Sequence, residues 1–153
     1  MINMNTLIIY RLDKYKFYAH DIEDGEDDEE RFVLGYFNSR NKLEEAIETC
    51  ISHGIKRNEL DIHKFGLICS QRRKFIYELS FGYTLLMPEG RFTDYAYVFP
   101  PQLSKQDCVK LKLELKKESK YQGGENKVFD FSPDGFWIER FKLNELYNVI
   151  PKT

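Results

Sequence analysis

Leu43, Ala46, Ile47, Cys50 and Ile51 recur at i, i+3, i+4, i+7 and i+8, the clearest stripe of helical period in the chain. Such a stripe has to be covered by another element. The spacing predicts a helix over 41–53. Ser39 or Asn41 can cap its start, and Asn41 with Glu44 has the spacing of a capping box. Gly54 after His53 suits the left-handed position that ends a helix, with Ile55 as its apolar partner. His53 then sits at the helix C-terminus, where a partly charged imidazole interacts well with the dipole.

Most of the other apolar residues fall in strand-length blocks. Aromatics make up 15% of 153 residues, and aromatic and β-branched side chains favour strands. Residues 6–20 and 31–37 are read as strands joined by an acidic loop. Residues 60–69 and 74–83 are read as a strand pair across the polar turn Ser70–Arg73. Pro88, Glu89 and Gly90 mark a turn before a strand over 91–99, which Pro100 and Pro101 end. A second helix is expected over 104–118, capped by Ser104, with Cys108, Leu111 and Leu115 in one row and Val109 and Leu113 in another. Residues 127–131, a Ser-Pro-Asp-Gly turn at 132–135 and a strand over 136–143 complete the chain, and the tail from Asn144 is read as a short turn of helix.

The order from Arg31 onward is read as β-α-β-β-α-β. The fold class expected is therefore α+β, a two-layer sandwich of ferredoxin-like order with an extra N-terminal strand, both helices lying on one face of a single antiparallel sheet. The chain is read as one domain over 1–153. Halves 31–83 and 91–143 share an order of elements, and Phe75-Ile76-Tyr77-Glu78 sets against Phe136-Trp137-Ile138-Glu139. Two readings of that likeness stand side by side: a divergent internal repeat, and the local grammar that α+β proteins share.

LIIYRLDKY before the acidic loop, GYFNSRNKLEEAI, and SPDGFWIERFKLNEL resemble segments of a set of small bacterial α+β domains. In those a Gly-Tyr strand end runs into a Ser-capped helix and a Pro-Asp-Gly-Phe turn leads the final strand. The resemblance implies an α+β fold and brings no activity with it. Alanine occurs only at 19, 46 and 96 while Lys, Ile, Tyr, Phe and Asn are frequent, a bias of AT-rich coding that is also read as bacterial.

Charge is unevenly placed. Asp21 to Glu30 reads DIEDGEDDEE, eight acids and no base, so taking them from a net charge of −2 leaves the other 143 residues at +6. A block of like charges repels itself and stays solvated. Three readings compete: a solubility device, a docking loop for a basic partner, and a carboxylate ion site. An EF-hand fails, because with Gly25 at the sixth position the first and third fall on His20 and Ile22. The docking residues named are Asp24, Glu26, Asp27, Asp28 and Glu29.

Walker A, dinucleotide-binding, HExxH and GxSxG patterns are all missing. Cys50 and His53 share a helix face but have no second pair to complete a zinc site. Cys50, Cys69 and Cys108 are an odd set without CxxC spacing, so free thiols in a reducing cytoplasm are expected. Glu78, Glu139 and Asp134 fit solvent-facing positions and define no acid–base pair. Asn3 and Asn5 interrupt the first apolar stretch, so no signal peptide and no membrane partner are expected. Phe75, Tyr77 and Phe81, and Tyr95, Tyr97 and Phe99, alternate along strands near a basic second helix carrying Lys110, Lys112, Lys116, Lys117 and Lys120. That arrangement admits RNA stacking, but the RNA-recognition signature is missing and the acidic loop repels phosphate. The leading expectation is a non-catalytic cytoplasmic interaction protein, immunity-like or regulatory, with no cofactor and no metal. Its expected partner is a basic protein, with a homodimer left open. Small-molecule sensing is the second expectation and RNA binding the third.

Overall fold

In the computed structural model, residues 5–19, 27–69 and 72–148 are described. The chain divides into two compact units, Met1–Lys74 with Lys142–Thr153, and Phe75–Phe141. It is mixed α+β, with two antiparallel sheets and two α-helices among the described residues. No helix among the described residues is long and apolar enough to cross a membrane.

The first unit holds β1 (Asn5–Ala19), β2 (Asp27–Phe37), α1 (Arg40–Ser52) and β3 (Leu60–Cys69), in strand order β2-β1-β3. α1 forms where its stripe predicts. Ser39 Oγ accepts the Lys42 N–H at 3.3 Å and is the cap used, not Asn41. The Gly54 N–H donates to Ile51 and the Ile55 N–H to Cys50, with Gly54 at φ 94°. This is the paired closure of a Schellman ending. Leu43, Ala46, Ile47 and Cys50 bury against Leu12 and Leu34 on one sheet face. The other face carries the buried Ile9, Arg11, Asp13, Val33 and Tyr36. A bulge between Leu12 and Asp13 sets Leu12 opposite Gly35 and Asp13 opposite Val33, leaving Leu34 as the extra residue.

The described part of the tail, residues 144–148, is not helical. Asn144 N–H donates to Tyr36, Tyr147 N–H to Leu34 and Asn148 Nδ2 to the Val33 carbonyl, so it runs along β2 and occupies a strand edge that would otherwise be open. Asn144 and Asn148 adopt positive φ, which Asn tolerates better than most residues.

The second unit holds β4 (Phe75–Leu86), β5 (Phe92–Val98), α2 (Lys105–Leu115), β6 (Lys127–Phe129) and β7 (Phe136–Lys142), whose last residue belongs to the first unit. β4 is central, paired with β5, β6 and β7. Ser104 caps α2, its Oγ accepting the Asp107 N–H at 3.1 Å. Leu79, Phe81, Cys108, Tyr121 and Phe136 make the core. Phe81 lies 4.6 Å from Phe136 and 5.1 Å from Tyr121 between ring centroids, distances of favourable aromatic packing.

Two expectations are corrected. The strands form two sheets, not one ferredoxin-like sheet under two helices. β3 does not pair with β4, because the long β1 takes β3 over ten positions while β4 pairs with β5, β6 and β7. The two units divide the chain at other places than the halves 31–83 and 91–143, since β4 belongs with β5.

Candidate functional site

β1 outruns its neighbour. Its pairing with β3 stops at Lys14 opposite Leu60, whereas its pairing with β2 continues through Tyr15–Arg31 to Ala19–Asp27. Five residues of β1 and five of β2 thus form a two-stranded arm past β3, roughly 16 Å long at about 3.3 Å per residue. The last four acids of the acidic segment lie in this arm. Asp27, Asp28, Glu29 and Glu30 are the first residues of β2, opposite Ala19, Tyr18, Phe17 and Lys16, and not part of a loop as expected. Asp24 and Glu26 lie outside the described residues.

A polar network sits where the arm leaves the sheet. Arg11, Asp13 and Tyr15 alternate along one face of β1, and Arg31 on β2 and Asp61 and His63 on β3 meet them. Arg11 Nε donates to both oxygens of buried Asp13 at 3.1 and 3.2 Å. Arg31 Nη1 reaches Asp13 Oδ2 at 3.4 Å and His63 Nε2 lies 3.3 Å from the same oxygen. His63 Nε2 is also 3.0 Å from Asp61 Oδ2, which accepts the Tyr15 hydroxyl at 2.8 Å. Arg31 Nη2 donates to the Tyr15 hydroxyl, and the guanidinium carbon stands 4.4 Å above the Tyr15 ring.

Burial pushes the Asp13 carboxyl above its ordinary range and outweighs Arg11, His63 and Arg31, which pull it down. At Asp61 burial again pushes upward. There the Tyr15 hydroxyl, His63, the Ile62 N–H and Arg31 prevail and hold the carboxyl below its usual value. Each carboxylate is thus engaged by neighbours on its own or the adjoining strands. The arrangement ties three strands together at the root of the arm.

The other sequence candidates fall elsewhere. Among the described residues no group of His, Cys, Asp or Glu is placed to hold a metal ion. Cys50, Cys69 and Cys108 are all buried free thiols. Burial pushes the Cys50 thiol up, and burial with Asp107 and Glu78 pushes Cys108 to about 11, the opposite of an activated nucleophile. Glu78, expected to face solvent, is buried on β4 and accepts the Ser80 hydroxyl at 3.3 Å. Asp134, also expected to face solvent, binds Lys112 and Lys116 of the second-helix segment at 3.2 and 3.3 Å. Of the strand aromatics, Phe81 is fully buried and Tyr97 and Phe99 pack edge-on against Tyr121. Lys120 lies 4.2 Å over Tyr97 and Lys127 lies 4.2 Å over Tyr83, so these rings meet the protein's own cations.

The network escaped the sequence reading, although a signal for it was there. Arg11 and Asp13 are two apart inside an apolar strand, as are Asp61 and His63, and residues two apart in a strand share a face. No protein-family model, curated protein or solved structure matches this chain.

Proposed function

We propose that this is a non-catalytic interaction protein that docks a basic partner through the acidic segment at the end of the β1–β2 arm. The observation that carries this reading is the register, in which β1 and β2 pair for five positions beyond the last partner on β3. Asp27–Glu30, the last four of the segment's eight acids, thereby belong to a two-stranded ribbon that has no partner on β3. Charge displayed in this way steers encounter with a partner of opposite sign and orients it before close contact. A regulatory or inhibitory role, immunity-like in kind, needs only such binding.

Capture of a partner from cell extract at low ionic strength tests the reading. The intact chain retains a specific basic protein that moderate salt releases, and a variant with Glu26→Gln, Asp27→Asn, Asp28→Asn and Glu29→Gln does not. Equal retention by both forms counts against it.

A further inference from the structure

On the sheet of the second unit, the face away from the aromatic core carries an open patch. Gly82, Thr84 and Leu86 of β4 lie opposite Ala96, Asp94 and Phe92 of β5, and Thr84 lies opposite Val128 of β6. Gly82 and Ala96 present almost no side chain on this face. The Trp137 ring packs over Gly82, its rim 3.3 Å from where a Gly82 Cβ would stand. Phe131 lies edge-on to Trp137 at 5.0 Å between centroids.

Two features of the patch are costly unless they serve a purpose. Phe131 is 87% exposed and Phe92 is 71% exposed. Phe131 also holds φ 62°, and the Ser132 N–H donates across it to the Asp130 carbonyl at 2.7 Å. A three-residue turn with positive central φ is rare and strained, above all for a bulky residue. The turn therefore places a large ring in solvent at a conformational cost, with no burial of that ring to offset it. Strain of this kind concentrates at binding sites.

Between the rings stand Asp94 and Asp130, which share one donor. Thr84 Oγ1 lies 2.6 Å from Asp94 Oδ1 and 3.2 Å from Asp130 Oδ1. A hydroxyl has a single hydrogen, so it serves one carboxylate at a time. Among the described residues no Lys or Arg pairs with either. Two negative charges without a cation, bordered by exposed aromatic rings, complement a guanidinium or ammonium group. It would gain charge-assisted hydrogen bonds from the carboxylates and attraction from the ring faces.

We propose that this patch receives an arginine or lysine side chain of a basic polypeptide partner. The proposal builds on the docking reading above and adds to it a second, short-range contact that selects a cation beside aromatic rings.

Trp137 is the chain's one tryptophan, so its fluorescence reports this patch and not the acidic arm. The full chain is titrated with a decapeptide of alternating Arg and Gly, with a Gln-Gly decapeptide and an uncharged glucose hexasaccharide alongside. The Arg-Gly peptide gives a saturable change in Trp137 emission and the Gln-Gly peptide gives none. Joint Asp94→Asn and Asp130→Asn weakens the response roughly tenfold, and Phe131→Gly, which keeps Trp137, weakens it as well. The Glu26, Asp27, Asp28 and Glu29 variant keeps the response, which separates this site from the acidic segment. Cooperative melting at temperatures no lower than that of the native chain confirms that the variants are folded; Phe131→Gly, which removes the strain at φ 62°, is expected to melt slightly higher. A flat Trp137 signal up to millimolar peptide overturns the proposal. So does a response that survives the Asp94 and Asp130 changes, or one given by the hexasaccharide in place of the peptide.

Discussion

Asp134 offers the sharpest test of how the second unit is held together. Its Oδ1 accepts the Phe136 N–H at 3.1 Å and the Ser132 hydroxyl at 3.0 Å. Its Oδ2 meets Lys112 and Lys116 at 3.2 and 3.3 Å. Burial opposes the charge, but the Phe136 N–H, Lys112, Ser132 and Lys116 together hold the carboxyl down to about 2 from an ordinary 3.8. By linkage that difference corresponds to about 2.4 kcal/mol of stability as a ceiling. The side chain is 27% exposed and solvent weakens both lysine pairs, so Asp134→Asn is expected to cost about 1–2 kcal/mol at pH 7. Asp134→Ala also leaves the Phe136 N–H without its acceptor and is expected to cost about 1 kcal/mol more.

The pH dependence has a definite sign. A depressed folded pKa gives stability that is complete above 3.8 and is lost as pH falls from there toward about 2. Urea unfolding of the intact chain and of both variants, at pH 7 and at steps down to pH 2, reads the effect. The gap between native and Asp134→Asn proteins narrows below pH 4. A gap under about 0.5 kcal/mol at pH 7, or one that widens on acidification, refutes the docking of α2 through this carboxylate.

Gly135 sits at φ 80°, and an added Cβ would meet the rings of Phe129 and Phe81 at 2.8 Å. Gly135→Ala is therefore expected to lower stability by about 2–4 kcal/mol in the same urea assay, and an unchanged midpoint contradicts the packing described. Cys108, with its thiol at about 11, resists alkylation at pH 8 in the native chain and reacts only as urea opens it; mass spectrometry showing prompt native labelling counts against its burial. Tyr15→Phe removes the hydroxyl that Asp61 accepts, so carboxyl chemical shifts are expected to show Asp61 titrating at higher pH than in the native chain.

Local features were legible in the sequence where one element sufficed. The α1 stripe, the glycine that ends it and the Ser104 cap all act within a few residues, so spacing alone reveals them. Partner choice among strands was not legible. β3 and β4 follow each other across a short polar stretch and read as a pair, yet β3 pairs with β1, more than forty residues earlier. Strand pairing at that separation is set by which faces must be buried together, and hydrophobic pattern alone does not rank the alternatives. The arm was half legible. Its charge was plain, but the continuation of β2 into Asp27–Glu30 was not, because acids are poor strand formers. Their pairing partners Lys16–Ala19 on the long β1 carry them into the ribbon. Glu78 was misplaced for a related reason, since its strand position gives a face but not which face is covered.

Steering of a basic partner by the acidic segment acts on the rate of encounter. It is tested most directly by the association rate constant of the Glu26, Asp27, Asp28 and Glu29 variant against the captured partner, followed from about 20 to 300 mM salt. The docking account predicts a rate for the native chain that falls steeply with salt, and a variant roughly tenfold or more slower at the low end and nearly insensitive to salt. Equal rates for the two proteins at the lowest salt would contradict it.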